Sequence, residues 1–294
     1  MPEYTLLITA SELAAILGDA DTRVLDCRFD LAEPASGRRA YLDGHIPGAV
    51  YADLDRDLAA PVRSDTGRHP LPTPAAFAAM LGRAGVGNDS QVVVYDAASG
   101  VFAARAWWML RWVGHARTAL LDGGIAAWTA AGLELEAGDV RATPATFVPR
   151  VREGRIVTTA ELEATVAAGD PFTLVDARDE ARYAGVREPI DAVAGHIPGA
   201  VNFPLSRSLL PDGRWQGPDA LAEAWRPVLG DSPGRPWTVM CGSGVTACHL
   251  ALSGLMAGYR EPRVYVGSWS EWIREPRRPV TVGPEPGRAE QAST

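Results

Sequence analysis

No stretch of the chain approaches the roughly 18 consecutive apolar residues that a membrane-spanning helix requires. The opening Met1-Pro2-Glu3-Tyr4-Thr5 has neither the basic region nor the apolar region of a secretory signal, so no export signal is expected. Cysteine is scarce: Cys27, Cys241 and Cys248 are too few and too irregular for a disulfide framework or a zinc site. A reducing cytoplasm is the compartment that fits a lone usable thiol. Positive charge is not in excess either. A net charge of −8 and a pI near 5.2 argue against nucleic acid and anionic membrane as partners. What is present is ordinary globular material: 47% apolar and 22% charged residues over 294 positions, enough for about two domains each with its own core.

The two halves repeat each other. Ile8-Thr9-Ala10-Ser11-Glu12-Leu13 matches Val157-Thr158-Thr159-Ala160-Glu161-Leu162, and both read as capping boxes at a helix start. Val24-Leu25-Asp26-Cys27-Arg28 matches Leu174-Val175-Asp176-Ala177-Arg178, a short buried strand ending in Asp-x-Arg. Gly44-His45-Ile46-Pro47-Gly48-Ala49-Val50 recurs as Gly195-His196-Ile197-Pro198-Gly199-Ala200-Val201. Helices are expected near 74–84 and 218–229, then buried strands Val92–Asp96 and Trp237–Cys241. The last pair is Leu121–Gly124, closing on Trp128, against Tyr265–Ser268, closing on Trp272. Short apolar strands alternating with helices predict an α/β fold, with a small parallel sheet flanked by helices in each half. The expected division is a domain over 1–140, a linker over 141–155, a domain over 156–282 and a disordered tail over 283–294.

The second half carries the chemistry. Cys241-Gly242-Ser243-Gly244-Val245-Thr246-Ala247 follows the strand directly and leads into a helix. Such a loop turns successive N–H groups inward and adds the positive end of a helix, a cradle for an anion. A thiol there loses its proton more readily, and the thiolate is the reactive form. The aligned first-half position is Asp96, which is no sulfur nucleophile, so the first half is expected to be a non-catalytic partner.

Tandem halves, a Gly-His-Ile-Pro-Gly-Ala turn in each, the second-half Cys loop and Asp96 in the matching place resemble the two-domain rhodanese-type sulfurtransferases. The loop itself is similar to that of the 3-mercaptopyruvate branch. Thiosulfate enzymes typically carry Arg and Lys after the cysteine, where this chain has Gly242 and Ser243. The resemblance implies tandem rhodanese-like domains and sulfur transfer from 3-mercaptopyruvate to a thiol or cyanide, through a persulfide on Cys241. It implies no cofactor and no metal, and a thiol acceptor such as thioredoxin. The bare chemistry agrees: fixed cations favour compact thiosulfate, whereas a neutral loop suits a donor whose charge sits on a carboxylate away from the sulfur.

Within that reading Ser243 hydrogen-bonds the leaving oxygen or the thiolate, or is simply a small loop residue. Gly242, Gly244, Val245 and Thr246 line the donor site through their main chain, with Thr246 tying the loop to the helix. Arg182 matches the arginine that the family places on the donor's anionic group; a surface salt bridge is its plainer alternative. The mercaptopyruvate enzymes usually have a second arginine in a Glu-Pro-Arg context. Here Glu188-Pro189 is followed by Ile190, and Arg187 is the candidate replacement. His45 and His196 occur in both halves, so they are expected to be architectural, with His45 a lesser candidate for the donor site. Asp26, Arg28, Asp176 and Arg178 read as paired scaffold ions. Cys248 is expected to be a buried small side chain, with a redox role as the alternative, and Trp107, Trp108 and Trp112 to be core or domain interface. A phosphatase is disfavoured because 242–248 hold no arginine. A thiosulfate:cyanide sulfurtransferase and a non-turnover persulfide carrier stay open.

Overall fold

The computed structural model describes residues 3–169 and 172–287. The chain forms two compact units: unit 1 is Met1–Ala60, Leu71–Arg152 and Leu209–Trp215, and unit 2 is Pro61–Pro70, Glu153–Ser208 and Gln216–Thr294.

Unit 1 contains β1 (Leu7–Ile8), α1 (Ala10–Ile16), β2 (Thr22–Asp26), α2 (Ala35–Asp43), β3 (Val50–Tyr51), α3 (Pro74–Arg83), β4 (Gln91–Tyr95), α4 (Ala103–Trp112), β5 (Thr118–Leu121) and α5 (Gly124–Ala130). Unit 2 repeats the plan with β6 (Ile156–Val157), α6 (Thr159–Ala168), β7 (Leu174–Asp176), α7 (Glu180–Tyr183), β8 (Ala200–Asn202), α8 (Pro218–Leu229), β9 (Thr238–Met240), α9 (Thr246–Met256), β10 (Arg263–Tyr265) and α10 (Ser268–Trp272). The two parallel sheets have the same order, β1-β5-β4-β2-β3 and β6-β10-β9-β7-β8. The central strands β4 and β9 therefore occupy equivalent places. All five β4 residues are buried, as the unbroken Val run demands when helices cover both faces. The register Val175↔Val239 and Val264↔Val239 sets β9 in the middle of its sheet.

Both predicted capping boxes are present. Glu12 N donates to Thr9 Oγ1 at 3.3 Å and Glu161 N to Thr158 Oγ1 at 3.2 Å, with the glutamate side chains accepting in return. Each Asp-x-Arg pair does more than neutralise itself. Arg28 clasps Asp26 and donates to the Gly44 carbonyl at 2.7 Å; Arg178 clasps Asp176 and donates to that of Gly195 at 2.7 Å. The strand end is thus fastened to the Gly-His-Ile-Pro-Gly turn. In that turn His45 Nδ1 bonds the Tyr41 carbonyl and stacks on the Tyr41 ring, and His196 does the same with Tyr183. Trp108 stacks on Trp112 inside unit 1, and Trp107 is also buried.

Three features depart from one cut within 141–155. Residues 61–70 lie with unit 2 and 209–215 with unit 1. The expected linker follows unit 1 as far as Arg152: Ala145, Arg150 and Arg152 donate to the carbonyls of Gly82, Val113 and Trp112. The described part of the tail is ordered rather than loose. Gly283 N donates to the Ala184 carbonyl at 2.8 Å, and the Pro286 carbonyl accepts from Gly199 N. Residues 288–294 lie outside the described residues. Among the described residues no helix is long and apolar enough to cross a membrane.

Candidate active site

Cys241 stands one residue beyond β9, at the carboxyl end of the central strand, where sheets of this kind carry their sites. Its loop runs to α9, which starts at Thr246. Gly244 adopts φ +78°, and a Cβ there would overlap the Val266 carbonyl, so only glycine fits. The reward for that turn is an N–H aimed at sulfur: Gly244 N donates to Cys241 Sγ at 3.1 Å. Cys241 keeps 2% of its surface exposed, so a reagent must shed water to reach it. Cys248 is fully buried, with its Sγ donating to the Gly244 carbonyl at 3.4 Å, which fits the packing role. Cys27 is buried as well.

One turn organises the surroundings of Cys241. Ser268, in the left-handed region at φ +53°, accepts from Cys241 N through its Oγ at 3.1 Å. Trp269 N and Ser270 N donate to the carbonyls of Cys241 (3.0 Å) and Gly242 (2.9 Å). The same turn holds the visiting segment 61–70. Gly67 N donates to Glu271 Oε2 at 3.1 Å and Arg68 N to Ser270 Oγ at 3.0 Å. Gly67 is required for this approach, because a Cβ would stand 2.9 Å from Ser270 Oγ. The Cys loop and the segment are thus fixed to one frame.

That segment supplies two groups to the site. His69 Nδ1 lies 2.8 Å from Ser243 Oγ, both residues being buried, in a hydrogen bond whose direction follows the imidazole tautomer. Arg68 ion-pairs with Asp191 through Nη1. Asp191 also takes Arg182 Nη2 at 3.0 Å, and Arg182 holds Glu188 with Nη2 at 2.8 Å. Burial pushes the Asp191 carboxyl upward, against the pull of Arg68 and Arg182. At Glu188 burial acts in the same upward direction, but Arg182 and the N–H groups of Asp191 and Ile190 outweigh it and hold that carboxyl below its usual range. Both guanidiniums reach the Cys loop: a Cβ on Gly242 would stand 2.9 Å from Arg68 Nη2 and 3.6 Å from Arg182 Nη1.

Cys241, Gly242, Ser243, Gly244, Val245 and Arg182 are accordingly gathered in one place. Thr246 does not tie the loop down: α9 starts without a side-chain cap, and the Thr246 hydroxyl makes no hydrogen bond among the described residues. Arg187 is exposed, and among the described residues its side chain makes no hydrogen bond or ion pair. His45 lies in unit 1, fully buried and engaged with Tyr41. Arg68, His69, Asp191 and Ser268 escaped the sequence reading. Gly67-Arg68-His69-Pro70 falls in none of the motifs above, and His69 lies 174 residues ahead of the serine that it meets.

Unit 1 shows what an anion does in the equivalent loop. Asp96 Oδ1 accepts from the N–H of Ala98 (2.8 Å) and Gly100 (2.9 Å), and Oδ2 from those of Phe102 (2.8 Å) and Ala103 (2.9 Å). The cradle is filled by the chain's own carboxylate.

A rhodanese-like domain model matches residues 9–131 and again 158–275. A Pseudomonas aeruginosa protein named "Probable 3-mercaptopyruvate sulfurtransferase" is 49% identical over 94% of this chain and 98% of its own length. The thiosulfate sulfurtransferase of Gallus gallus is 36% identical over 86% of this chain and 87% of its own. Among solved structures, the 3-mercaptopyruvate sulfurtransferase from Leishmania major superposes with a TM-score of 0.81 at 30% identity, covering 94% of this chain and 76% of that one. With its duplicated sheet and the Cys loop closing the central strand of the second copy, the chain belongs to the rhodanese-like family, and its relatives are sulfurtransferases of both the mercaptopyruvate and the thiosulfate kind.

Proposed function

We propose that the chain transfers sulfur from 3-mercaptopyruvate to a thiol or cyanide through a persulfide on Cys241. The observation that carries this reading is the pair of equivalent cradles. Each Asp96 oxygen lies two bonds beyond Cβ, as the outer sulfur of a cysteine persulfide does. Asp96 collects four N–H donors there. A bare thiol stops one atom short and meets the Gly244 N–H. The loop is therefore built for an anion one atom longer than cysteine, the charged intermediate of sulfur transfer.

The step sequence follows from the groups present. The donor's carboxylate meets Arg182. The Cys241 thiolate attacks the donor sulfur, an S–S bond forms, and the C–S bond breaks with its electron pair going to the methylene carbon. The product is the enolate of pyruvate, which becomes pyruvate on protonation. The Ser243 hydroxyl, which His69 contacts, hydrogen-bonds the enolate oxygen or passes it a proton. An acceptor thiolate then attacks the outer sulfur and frees the Cys241 thiolate. Cyanide does the same and leaves as thiocyanate. A dithiol protein such as thioredoxin suits the second step, and a reducing cytoplasm suits the thiol.

The test is intact-mass analysis after adding 3-mercaptopyruvate. One extra sulfur atom is expected on the protein, absent in Cys241→Ser and removed by dithiol. No gain would refute the persulfide. Comparison of kcat/KM for 3-mercaptopyruvate and thiosulfate fixes the donor; a thiosulfate preference would replace it.

A further inference from the structure

The Cys241 loop carries no cation of its own, yet two guanidiniums stand over it, and one of them comes from the distant segment 61–70. We propose that Arg68 is a donor-binding residue: with Arg182 it forms a two-armed clamp over Gly242 that grips the carboxylate of the sulfur donor. This deepens the proposed function and rests on it.

Three observations support the clamp. Both arms converge on the residue next to the nucleophile, Arg68 Nη2 at 2.9 Å and Arg182 Nη1 at 3.6 Å from where a Gly242 Cβ would be. A side chain at 242 would displace Arg68, so the glycine keeps open the space that the arm uses. Next, a single buried carboxylate spans both arms: Asp191 binds Arg68 Nη1 with one oxygen and Arg182 Nη2 with the other. That grip fixes each guanidinium in orientation. It leaves Arg68 Nη2 and Arg182 Nη1 with no hydrogen bond or ion pair among the described residues. Two open N–H₂ groups on neighbouring guanidiniums match the two oxygens of a carboxylate. Finally, the segment after α7 offers no second cation to this place. Arg187 points its side chain into solvent, and Ile190 is 49% exposed and apolar.

Arg68, Arg178 and Arg182 face Asp176, Glu188 and Asp191 in a connected network, three charges of each sign. The cluster is charge-balanced without a ligand, and the two open groups can still accept one.

The experiment uses two alkylating reagents on the full chain. Iodoacetate carries a carboxylate; iodoacetamide is its neutral counterpart. Rates at Cys241 are read by mass spectrometry. Arg68→Gln is expected to lower the iodoacetate-to-iodoacetamide rate ratio about tenfold, the loss of roughly one charge-assisted hydrogen bond. The iodoacetamide rate should stay within about twofold. Arg68→Lys keeps the charge but not the planar fork and should restore part of the ratio. In steady state Arg68→Gln should raise KM for 3-mercaptopyruvate about tenfold and leave kcat nearly unchanged. An unchanged ratio overturns the clamp. An equal loss with both reagents also overturns it, since Arg68 would then be a brace for the segment. If the wild type takes no sulfur from 3-mercaptopyruvate, the function reading fails while the reagent ratio still decides the clamp.

Discussion

Ser243 and His69 form one hydrogen-bonded pair, and under the proposed function they serve as one group. The serine hydroxyl is held by an imidazole at 2.8 Å in a buried setting, so its proton position is set by its partner and not by solvent. Ser243→Ala removes the hydroxyl proposed to meet the enolate oxygen and should lower kcat by about 10²-fold, the usual loss for one transition-state donor. His69→Ala should cost a comparable factor. The double variant should be no worse than the more severe single one, since residues that work as a unit are non-additive. Multiplying losses would separate them into independent roles. At this scale the sequence was readable where the side chains that the structure brings together are contiguous or in motif: Cys241, Ser243 and Arg182 could be named as neighbours of one loop. Arg68 and His69 could not, because neither sits in a periodic element and their partners lie in the opposite half of the sequence. Ser268 was hidden by the same difficulty. Its left-handed backbone follows from its bonds to Cys241 N and the Tyr265 carbonyl, which no local pattern reveals.

The elements show how a repeated sequence keeps a shared plan while its chemistry diverges. The strand–helix alternation, the capping boxes and the repeated Gly-His-Ile-Pro-Gly turns were legible because each depends on residues at fixed short spacing, whereas the order of the strands in each sheet was not. Glu161 illustrates the energetics of one such cap. Its carboxyl accepts from Thr158 and Arg263, and these bonds lower its pKa from 4.5 to about 2. A carboxyl depressed on folding stabilises the folded state above its unfolded pKa, and the contribution fades as pH falls through the folded value. Glu161→Gln should therefore lower the unfolding temperature at neutral pH, and the gap to wild type should close between pH 4.5 and about 2. A gap independent of pH would assign the effect to helix packing. In the other half, four N–H groups of one loop converge on the Asp96 carboxylate. Asp96→Asn turns one acceptor oxygen into a donor facing N–H groups. The expected cost is about 1–3 kcal/mol for the polar groups left unsatisfied, seen as a fall of several degrees in the melting temperature. An unchanged melting temperature would mean that the loop relaxes freely around asparagine.

At the level of the whole molecule, the two units do not coincide with the two halves of the sequence. Residues 61–70 and 209–215 occupy matching places in the repeat, each between a short strand and the next long helix, and each packs with the other half's unit. Repeat alignment alone places both as connectors within their own half, so the expected boundaries missed the trade. A fragment starting at Glu153 retains Cys241, Ser243 and Arg182 but lacks His69 and Arg68. Produced alone, it should turn over 3-mercaptopyruvate at least about 10²-fold more slowly in kcat/KM than the full chain, by the loss of the Ser243 partner alone. Full activity in that fragment would show that the visiting segment is dispensable.

The trade also bears on inheritance. After a duplication, a copy that has lost its reactive sulfur would ordinarily be free to decay or be deleted. Here the copy with Asp96 in the cysteine's place owns the short stretch 61–70 that packs with the other copy's unit, so under the proposed function shedding it would disarm its sibling. On that reading the two copies are a pair that must be transmitted together.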